Sequence, residues 1–229
     1  MIKLLTIVGA RPQFIKASAI SRTMRQDFWD KISEVILHTG QHYDDNMSMV
    51  FFREMEIPLP LYNLEVGSGK HGKQTADMMA GIESILAKES PDAVLIYGDT
   101  NSTLAGALAA AKMHIPVVHV EAGLRSFNKA MPEEINRVVS DHISDINFCS
   151  TPIAVKNLEN EGRGHTAILV GDVMYDCALN FSDAAEKNCD PFKKFGIEKG
   201  NYVLMTCHRP ANTDVHENLE AIVRAANDI

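Results

Sequence analysis

The chain has 229 residues, of which 45% are hydrophobic and 23% are charged. These proportions are ordinary for a globular protein and exclude a disordered, collagen-like or coiled-coil chain. The net charge of −8 argues against nucleic acid and anionic membranes as main partners, because proteins that bind them are normally basic. A negative net charge does not exclude a small anionic ligand, because a local cluster of cationic side chains can bind one. No apolar run approaches the ~20 residues needed to cross a bilayer.

Short apolar runs alternate with helical patterns along the whole chain. Seven runs are almost continuously apolar, which is typical of strands buried on both faces of a parallel sheet. The predicted strands are 3–8, 34–37, 93–97, 117–120, 146–149, 167–170 and 202–206. The predicted helices include 74–88, 101–113, 133–144 and 215–229. This alternation predicts an α/β protein with a doubly wound parallel sheet.

A polar stretch at residues 188–200 is rich in lysine and contains Pro191, Gly196 and Gly200. We interpret it as a linker between a first domain, residues 1–187, and the segment 201–229. A single strand and helix cannot bury both of their faces. Residues 201–229 are therefore interpreted as the start of a second domain, and docking of this pair on the first domain is the alternative.

The first segment runs directly into Gly9 and is too short for the apolar core of a signal peptide, so we interpret it as a strand. The cysteines are widely spaced and contain no C-x-x-C pair. They stand at positions 149, 177, 189 and 207. We expect reduced thiols in a cytoplasmic protein.

Ligands of open parallel sheets bind where the strands end and the following helices begin. Charged residues follow four of the predicted strands: Arg11 with Lys16, Asp99, Glu121, and His208 with Arg209. The first pair lies beside amide groups at a helix start and suits a phosphate. The last pair suits a diphosphate.

Plainer interpretations remain open at each of these positions. The first turn could be an ordinary tight turn with surface cations, and Asp99, Asn101 or Ser102 could cap a helix. Arg125 could simply be the partner of Glu121. One of Glu133 and Glu134 is expected to be a solvent-exposed residue of a first helical turn.

Three motifs that suggest a cofactor or metal do not fit. The run GSGKHGKQ (67–74) resembles a phosphate-binding loop, but Gln74 stands where that loop needs Ser or Thr for magnesium. His38 and His42 lack a third residue at metal-ligand spacing. The G-x-G-x-x-G spacing of nicotinamide binding occurs only at residues 67–72, where no long apolar strand precedes it as that signature requires. We therefore expect no metal and no cofactor.

Longer runs closely resemble one known family across essentially the whole chain. They are GARPQFIK (9–16), HTGQHYD (38–44), GDTNSTLAGALAAAKMHIPVVHVEAGLRSF (98–127), MPEEINR (131–137) and GDVMYD (171–176). They resemble the non-hydrolysing UDP-N-acetylglucosamine 2-epimerases, and most of all the branch that acts on 2,3-diacetamido sugar acids. The resemblance implies two Rossmann-like domains in a GT-B arrangement, with the active site in the cleft between them.

The resemblance also implies an activity. Such an enzyme inverts C2 of a UDP-2-acetamido sugar by eliminating UDP and adding it back, without a cofactor, to supply precursors of surface polysaccharides. Its partners would be the UDP-sugar and a second copy of the chain. By similarity, the acid–base carboxylates are Asp99, Glu121 and Glu133, and His208 is a further catalytic residue. The substrate-binding residues implied in the same way are Arg11, Lys16, Arg125, Arg137 and Arg209.

Two departures from the family pattern qualify these expectations. Gln41 and His42 fall in the loop concerned with allosteric activation by substrate, but residues 43–46 differ from the regulated bacterial enzymes. Ala211 replaces a glutamate that commonly follows the His-Arg pair.

The family pattern also continues well beyond residue 229. We therefore expect residues 1–229 to hold the carboxylates, half of a cleft and little activity alone. Three alternatives remain: a C2 epimerase of a UDP-diacetamido-uronate, half of a GT-B glycosyltransferase, and a non-catalytic nucleotide-sugar-binding module.

Overall fold

The computed structural model describes residues 1–40, 49–55, 57–188, 190–207 and 210–228. They form two compact units, Met1–Ser182 and Asp183–Ile229. Within this part of the chain, no helix has the length and apolar character needed to cross a membrane. Cys149, Cys177 and Cys207 are free thiols.

The first unit alternates strands and helices. Its strands are β1 (Ile2–Val8), β2 (Ile32–His38), β3 (Tyr62–Asn63), β4 (Ala93–Tyr97), β5 (Val117–Ala122), β6 (Ile146–Cys149) and β7 (Ala167–Leu169). Its helices are α1 (Arg11–Asp27), α2 (Met49–Glu54), α3 (His71–Glu89), α4 (Asn101–Lys112), α5 (Pro132–Ile143) and α6 (Pro152–Asn160), followed by α7 (Val173–Asn188), which runs into the second unit.

All seven strands are parallel and lie in the order β3-β2-β1-β4-β5-β6-β7. The chain therefore builds outward from β1 to β3, returns to β4 beside β1, and builds outward again to β7. This confirms the predicted doubly wound α/β fold. The point where the order reverses, between β1 and β4, is where such sheets bind ligands.

The sheet buries apolar side chains on both faces, as the continuous apolar character of its strands predicts. One face, with Leu5, Ile7, Val94 and Ile96, packs on α3 and α4. The other face carries Val8, Leu95, Tyr97 and Val120 and packs on Phe14 and Ala17 of α1. Helices therefore pack on both faces of the sheet, and its strand ends remain open.

Helix α4 is almost entirely buried, and its sequence is apolar on nearly all sides. Its small residues allow it to lie close to the sheet. A Cβ at Gly106 would lie 2.9 Å from Cδ1 of Ile7 and 3.2 Å from Cγ2 of Ile96. This close packing holds the middle of α4 against the sheet, and α4 follows the turn that carries Asp99.

The second unit contains the end of α7 and the helices α8 (Pro191–Phe195), α9 (Pro210–Thr213) and α10 (His216–Asn227). Helix α8 lies inside the stretch predicted to be a linker. The predicted strand at 202–206 is wrong: these residues are not in a strand, and Val203 and Leu204 are 69% and 83% exposed. A strand needs a neighbour for its backbone N–H and C=O groups, and the described residues of this unit offer no strand to pair with.

Candidate active site

The turn after β1 is closed by the side chain of Gln13. Its Oε1 accepts hydrogen bonds from the backbone N–H groups of Gly9 at 2.8 Å and Ala10 at 3.0 Å. Its Nε2 donates to the carbonyl of Tyr97 at 2.9 Å and to Oγ1 of Thr103 at 3.0 Å. The amides of residues 9 and 10, which the sequence suggested for a phosphate, are therefore already bonded. Gln13 instead ties the first turn to the end of β4.

Gly9 is required by a close approach of side chains. A Cβ at this position would lie 2.0 Å from Oγ1 of Thr39 and 2.3 Å from Oγ of Ser102, two buried hydroxyls that bond each other at 2.8 Å. We expect Gly9→Ala to lower the free energy of unfolding by about 1–3 kcal/mol because the turn must shift. Urea unfolding measures this change.

Gly72, in the first turn of α3, provides the matched control for that substitution. A Cβ there meets nothing within 4 Å, so Gly72→Ala should be neutral or stabilising by about 0.4–1 kcal/mol. Equal stability of the two variants would contradict the packing described for Gly9.

Lys16 and Glu121 form an ion pair below the turn at Gly98. Lys16 projects from α1 with its side chain 9% exposed, and Nζ binds Oε2 of Glu121. A Cβ at Gly98 would lie 3.2 Å from Lys16 Nζ and 3.3 Å from Glu121 Oε2. The missing side chain at Gly98 leaves room for this pair, so β1, β4 and β5 converge on it through the turns and helices that follow them.

Glu121 has an unusual backbone conformation. Its φ of 68° lies in the left-handed region, which is unfavourable by about 1–2 kcal/mol for a residue with a Cβ. It lies where the pairing of β5 with β6 shifts register, between Val120 and Ala122. Local strain of this kind is concentrated at functional sites. The predicted strand 117–120 therefore continues through Glu121, which the irregularity directs toward Lys16.

Asp99 is held by helix α5. Its carboxylate forms an ion pair with Arg137, and its backbone carbonyl accepts a hydrogen bond from Nδ2 of Asn136 at 2.9 Å. The N-cap of α4 is Thr100, whose Oγ1 accepts from the backbone N–H of Thr103. Capping by Asp99, Asn101 or Ser102 is thus not observed, and the carboxylate of Asp99 is available for another role.

The two neighbouring glutamates at the start of α5 have different environments. Glu133 is exposed in the first turn. Glu134 is 3% exposed and accepts hydrogen bonds from the backbone N–H groups of Ser126 at 2.9 Å and Phe127 at 3.0 Å. It also binds Arg137 at 2.9 Å. Glu134 therefore fixes both the loop before α5 and the arginine that holds Asp99.

The ionised form of Glu134 is the form that the fold stabilises. Burial alone would raise the pKa of this carboxyl, but hydrogen bonds from Ser126 and Phe127 and the nearby Arg137 outweigh burial and lower the pKa below its usual value. A lowered folded-state pKa contributes stability above the unfolded-state pKa and loses it as the pH falls through the folded-state pKa.

We therefore expect Glu134→Gln to destabilise the protein most at pH 7 and progressively less as the pH falls and the wild-type carboxyl takes up a proton. Urea unfolding at pH 7, 4.5 and 3 measures this difference. Glu133→Gln, at the exposed neighbour, serves as the control and should stay within about 0.5 kcal/mol of wild type at each pH. If Glu134→Gln destabilised the protein equally at every pH, the ionised form of Glu134 would not be the form that stabilises the fold.

Arg125 lies in a buried ionic cluster. Its side chain is 1% exposed; Nη1 binds Oδ2 of Asp141 at 2.6 Å, and Nε and Nη2 bind the two carboxylate oxygens of Glu161 at 2.8 and 2.7 Å. The interpretation of Arg125 as the partner of Glu121 is wrong, because Lys16 takes that place. The structure encloses Arg125 between two carboxylates.

Asp141 joins this cluster to His119. Its Oδ1 lies 2.7 Å from Nδ1 of His119, and Oδ2 also accepts from the backbone N–H of Gly123 at 3.0 Å. Burial favours the neutral acid, but the bonds from His119 and Arg125 outweigh it and lower the pKa of Asp141. Asp141 is therefore an ionised carboxylate that is fully buried.

The structure brings together part of the predicted site. Lys16, Glu121, Asp99 and Arg137 lie around the turn at Gly98, whereas Arg11 and Glu133 are exposed in the first turns of α1 and α5. Gln41, His42, His208 and Arg209 lie outside the described residues. A cavity of about 300 Å³ opens beside Glu121, and its other polar lining residues are Ser150, Asp172 and Asp176.

Several residues that support the site were missed from the sequence: Gln13, His119, Glu134, Asn136 and Asp141. His119 carried a usable signal, since it is a polar residue inside an apolar strand and must find partners when buried. Gln13, Asn136 and Asp141 carried none, because they have partners on distant turns. The partners of Glu134 lie nearby in the chain, but the sequence does not show that the loop before α5 folds back onto it. Among the described residues, no group of three or more His, Cys, Asp or Glu is placed to hold a metal ion.

Comparison with known proteins identifies relatives of this arrangement. The family profile described as UDP-N-acetylglucosamine 2-epimerase matches residues 26–229. A UDP-N-acetylglucosamine 2-epimerase homolog of Methanococcus maripaludis is 56% identical over 97% of this chain and 62% of its own length. The UDP-2,3-diacetamido-2,3-dideoxy-D-glucuronate 2-epimerase of Pseudomonas aeruginosa is 51% identical over 99% of this chain and 63% of its own length.

A solved structure agrees with these relatives. The UDP-GlcNAc 2-epimerase of Methanocaldococcus jannaschii, crystallised in complex with UDP-GlcNAc and UDP, has a TM-score of 0.88 and 46% identity. The match covers 99% of this chain and 62% of that one. The present chain thus spans somewhat less than two thirds of the length of the relatives that it matches.

Proposed function

Because the chain belongs to the UDP-N-acetylglucosamine 2-epimerase family, we propose that the protein inverts C2 of a UDP-2-acetamido sugar, converting UDP-N-acetylglucosamine to UDP-N-acetylmannosamine. The observation that supports this most is the pairing of two carboxylates with cations at one turn. Glu121 is bound to Lys16 and Asp99 to Arg137, at the ends of the neighbouring strands β5 and β4. Such an arrangement can present acid and base groups to one sugar ring.

The reaction has two balanced halves. A carboxylate removes the C2 proton while the C1–O bond breaks, and the electron pair of that bond leaves with UDP. The C2–H electrons form a C1–C2 double bond, giving a glycal. In the second half, a carboxylic acid returns a proton to C2 from the opposite face and the UDP oxygen bonds to C1 again. Water and electrons are neither consumed nor produced, so the reaction requires only acid–base and electrostatic groups.

The C2 proton is not adjacent to a carbonyl, so departure of UDP must be assisted. Cations near the diphosphate would stabilise the negative charge that develops on it. Arg11 is exposed at the start of α1 and is our candidate from the described residues. His208 and Arg209, which lie outside the described residues, are candidates from the sequence alone. Lys16 is bound to Glu121 and would act by orienting that carboxylate. Glu133 would complete the acid–base set from the exposed first turn of α5.

The test is NMR of UDP-N-acetylglucosamine incubated in deuterated water with the gene product at its full encoded length. We expect UDP-N-acetylmannosamine to appear with deuterium at C2, since the proton is lost to a carboxylate and replaced from solvent. Product that retains the original hydrogen at C2 would contradict the elimination mechanism. Transfer of the sugar to an acceptor, with no change at C2, would indicate a glycosyltransferase instead.

A second candidate substrate is a UDP-2,3-diacetamido uronate. The relative from Pseudomonas aeruginosa that carries this name is 51% identical to the chain, against 47% for the Methanocaldococcus jannaschii UDP-N-acetylglucosamine 2-epimerase. The C2 chemistry would be the same. Comparison of kcat/KM for the two UDP-sugars decides between them.

We also propose that the protein acts in the cytoplasm as a homodimer and supplies precursors of surface polysaccharides. Light scattering of the full-length gene product should give twice the chain mass. For residues 1–229 alone we expect little turnover, and measurable epimerisation by this segment would refute that. If the protein is instead a binding module, Asp99→Asn will leave its only activity, UDP-sugar binding, unchanged, and the wild type will not epimerise.

A further inference from the structure

His119 is buried in the middle of β5 and both of its ring nitrogens face oxygen atoms. Nε2 lies 2.7 Å from the backbone carbonyl of Gly98, which can only accept, so Nε2 carries the hydrogen of that bond. Nδ1 lies 2.7 Å from Oδ1 of Asp141, whose other oxygen is occupied by donors from Arg125 and Gly123. The ring therefore bridges a backbone carbonyl to a carboxylate, with Nε2 as the donor to the carbonyl.

The two ends of this bridge flank the two carboxylates of the site. Gly98 directly precedes Asp99 and has a φ of 64°. Gly123 follows Glu121 by two residues and has a φ of 80°. Both turns depend on left-handed backbone, which few side chains favour, and each is held by the same buried pair.

Gly98 is hydrogen-bonded to β5 through both its backbone N–H and its backbone carbonyl. Its backbone N–H donates to the carbonyl of Val120 at 3.0 Å, and its carbonyl accepts from His119. The first contact is a backbone contact that any residue at 120 could make. The second depends on the side chain of His119 and can be removed by substitution.

We propose that His119 is a positioning residue of the active site, which, together with Asp141, fastens the turn that carries Asp99 and the strand end that carries Glu121 to one buried support. The catalytic meaning of this inference rests on the proposed function. His119 itself lies behind the turn and is 0% exposed, so it is closed off from a ligand bound at the surface. It acts by setting the separation of two carboxylates, and a misplacement of about 1 Å at such groups lowers rates about 100-fold.

Two substitutions distinguish between the two hydrogen bonds that the His119 ring makes. In asparagine the amide nitrogen is bonded to Cγ, as Nδ1 is in histidine, so His119→Asn can keep the bond to Asp141 and loses the bond to Gly98. In glutamine the amide nitrogen lies one bond farther out, near the place of Nε2. His119→Gln can therefore keep the bond to Gly98.

A third variant controls for loss of stability. Thr6 is buried in β1, and its hydroxyl donates to Oε1 of Glu34 at 2.5 Å, away from the turns at residues 98 and 123. Thr6→Val removes one buried hydrogen bond with little change of shape. It should lower stability without moving Asp99 or Glu121.

The experiment measures kcat and KM of the full-length gene product, with the folded fraction from circular dichroism. For His119→Asn we expect kcat to fall about 100-fold with KM within about threefold of wild type, because binding groups stay and reacting groups shift. His119→Gln should recover about tenfold or more of that loss, and Thr6→Val should keep the wild-type kcat per folded molecule. Wild-type kcat in His119→Asn, or equal losses in all three variants, would overturn the proposal.

A second readout does not depend on turnover. If the wild type epimerises neither UDP-sugar, the proposed function fails, and the positioning role is then decided by hydrogen exchange of the Gly98 and Gly123 amides. His119→Asn should speed exchange at both by about tenfold or more beyond the change at other β5 amides, whereas Thr6→Val should not. Exchange that is unchanged, or raised uniformly along β5, would overturn the inference.

Discussion

Replacing Glu121 by glutamine in the full-length gene product is expected to lower kcat of the proposed epimerisation by about 1000-fold while the protein stays folded. General acid–base groups contribute roughly 100- to 10,000-fold to rates, and Glu121 is the carboxylate that the structure holds in a strained backbone conformation beside Lys16. Glutamine has nearly the same shape but cannot take up a proton at neutral pH. The measurement is initial rate by NMR or by coupled detection of the epimer, with deuterium incorporation at C2 as a second reading.

The matched control for that variant is Glu159→Gln. Glu159 is half exposed on α6 and pairs only loosely with Lys156, at 3.3 Å. Its replacement should leave kcat within about twofold, because exposed pairs contribute little. If Glu121→Gln keeps a rate close to that of Glu159→Gln, Glu121 neither removes nor returns the C2 proton, and the acid–base assignment is wrong.

Replacing Arg125 by leucine is expected to lower the free energy of unfolding by about 3–5 kcal/mol, because it leaves Asp141 and Glu161 without their shared cation in a buried place. The side chain is 1% exposed and makes three bonds of 2.6–2.8 Å to these two carboxylates. Urea unfolding measures the change.

Arg224→Leu provides the control for Arg125. Arg224 also binds a glutamate, Glu220, at 2.6 Å, but its side chain is 76% exposed on α10. Its loss should change stability by no more than about 0.5 kcal/mol. If Arg125→Leu is as stable as wild type but raises KM tenfold or more, Arg125 binds substrate, as the resemblance implied, and the structural role is refuted.

Strand ends were the most predictable part of the site. The apolar runs ending at Tyr97 and Val120 indicated strands, and parallel strands place their carboxyl ends at one edge, so Asp99 and Glu121 could be expected near each other. The structure also shows how Asp99 and Glu121 are connected: Gly98, which precedes Asp99, lies against the Lys16–Glu121 ion pair. The sequence pattern could not show which cation each carboxylate binds.

Hydrogen-bond partners that lie far apart in the chain could not be predicted from the sequence. Asp141 meets His119 across 22 positions, and Gln13 reaches the carbonyl of Tyr97 across 84. Such contacts depend on the conformation of the turns, and a single sequence does not show which residues these turns bring together. Glu133 and Glu134 show the difficulty at short range: the pattern of a first helical turn fits both, and only the path of the loop at Ser126 decides which one is buried.

The predicted strand at 202–206 was wrong for a related reason. Its composition is that of a buried strand, but strand formation depends on a neighbour as well as on the residues themselves. Within the described part of the second unit there is none, and the segment is exposed and has no regular secondary structure.

We propose that the carboxylates of residues 99, 121 and 133 surround one sugar ring whose diphosphate faces Arg11. The most direct measurement is a crystal structure of the full-length gene product with UDP-N-acetylglucosamine bound. We predict a carboxylate oxygen within about 3.5 Å of C2 on each face of the ring, which is the reach needed for proton transfer. A bound sugar whose C2 has these carboxylates on one face only, or on neither, would contradict the account.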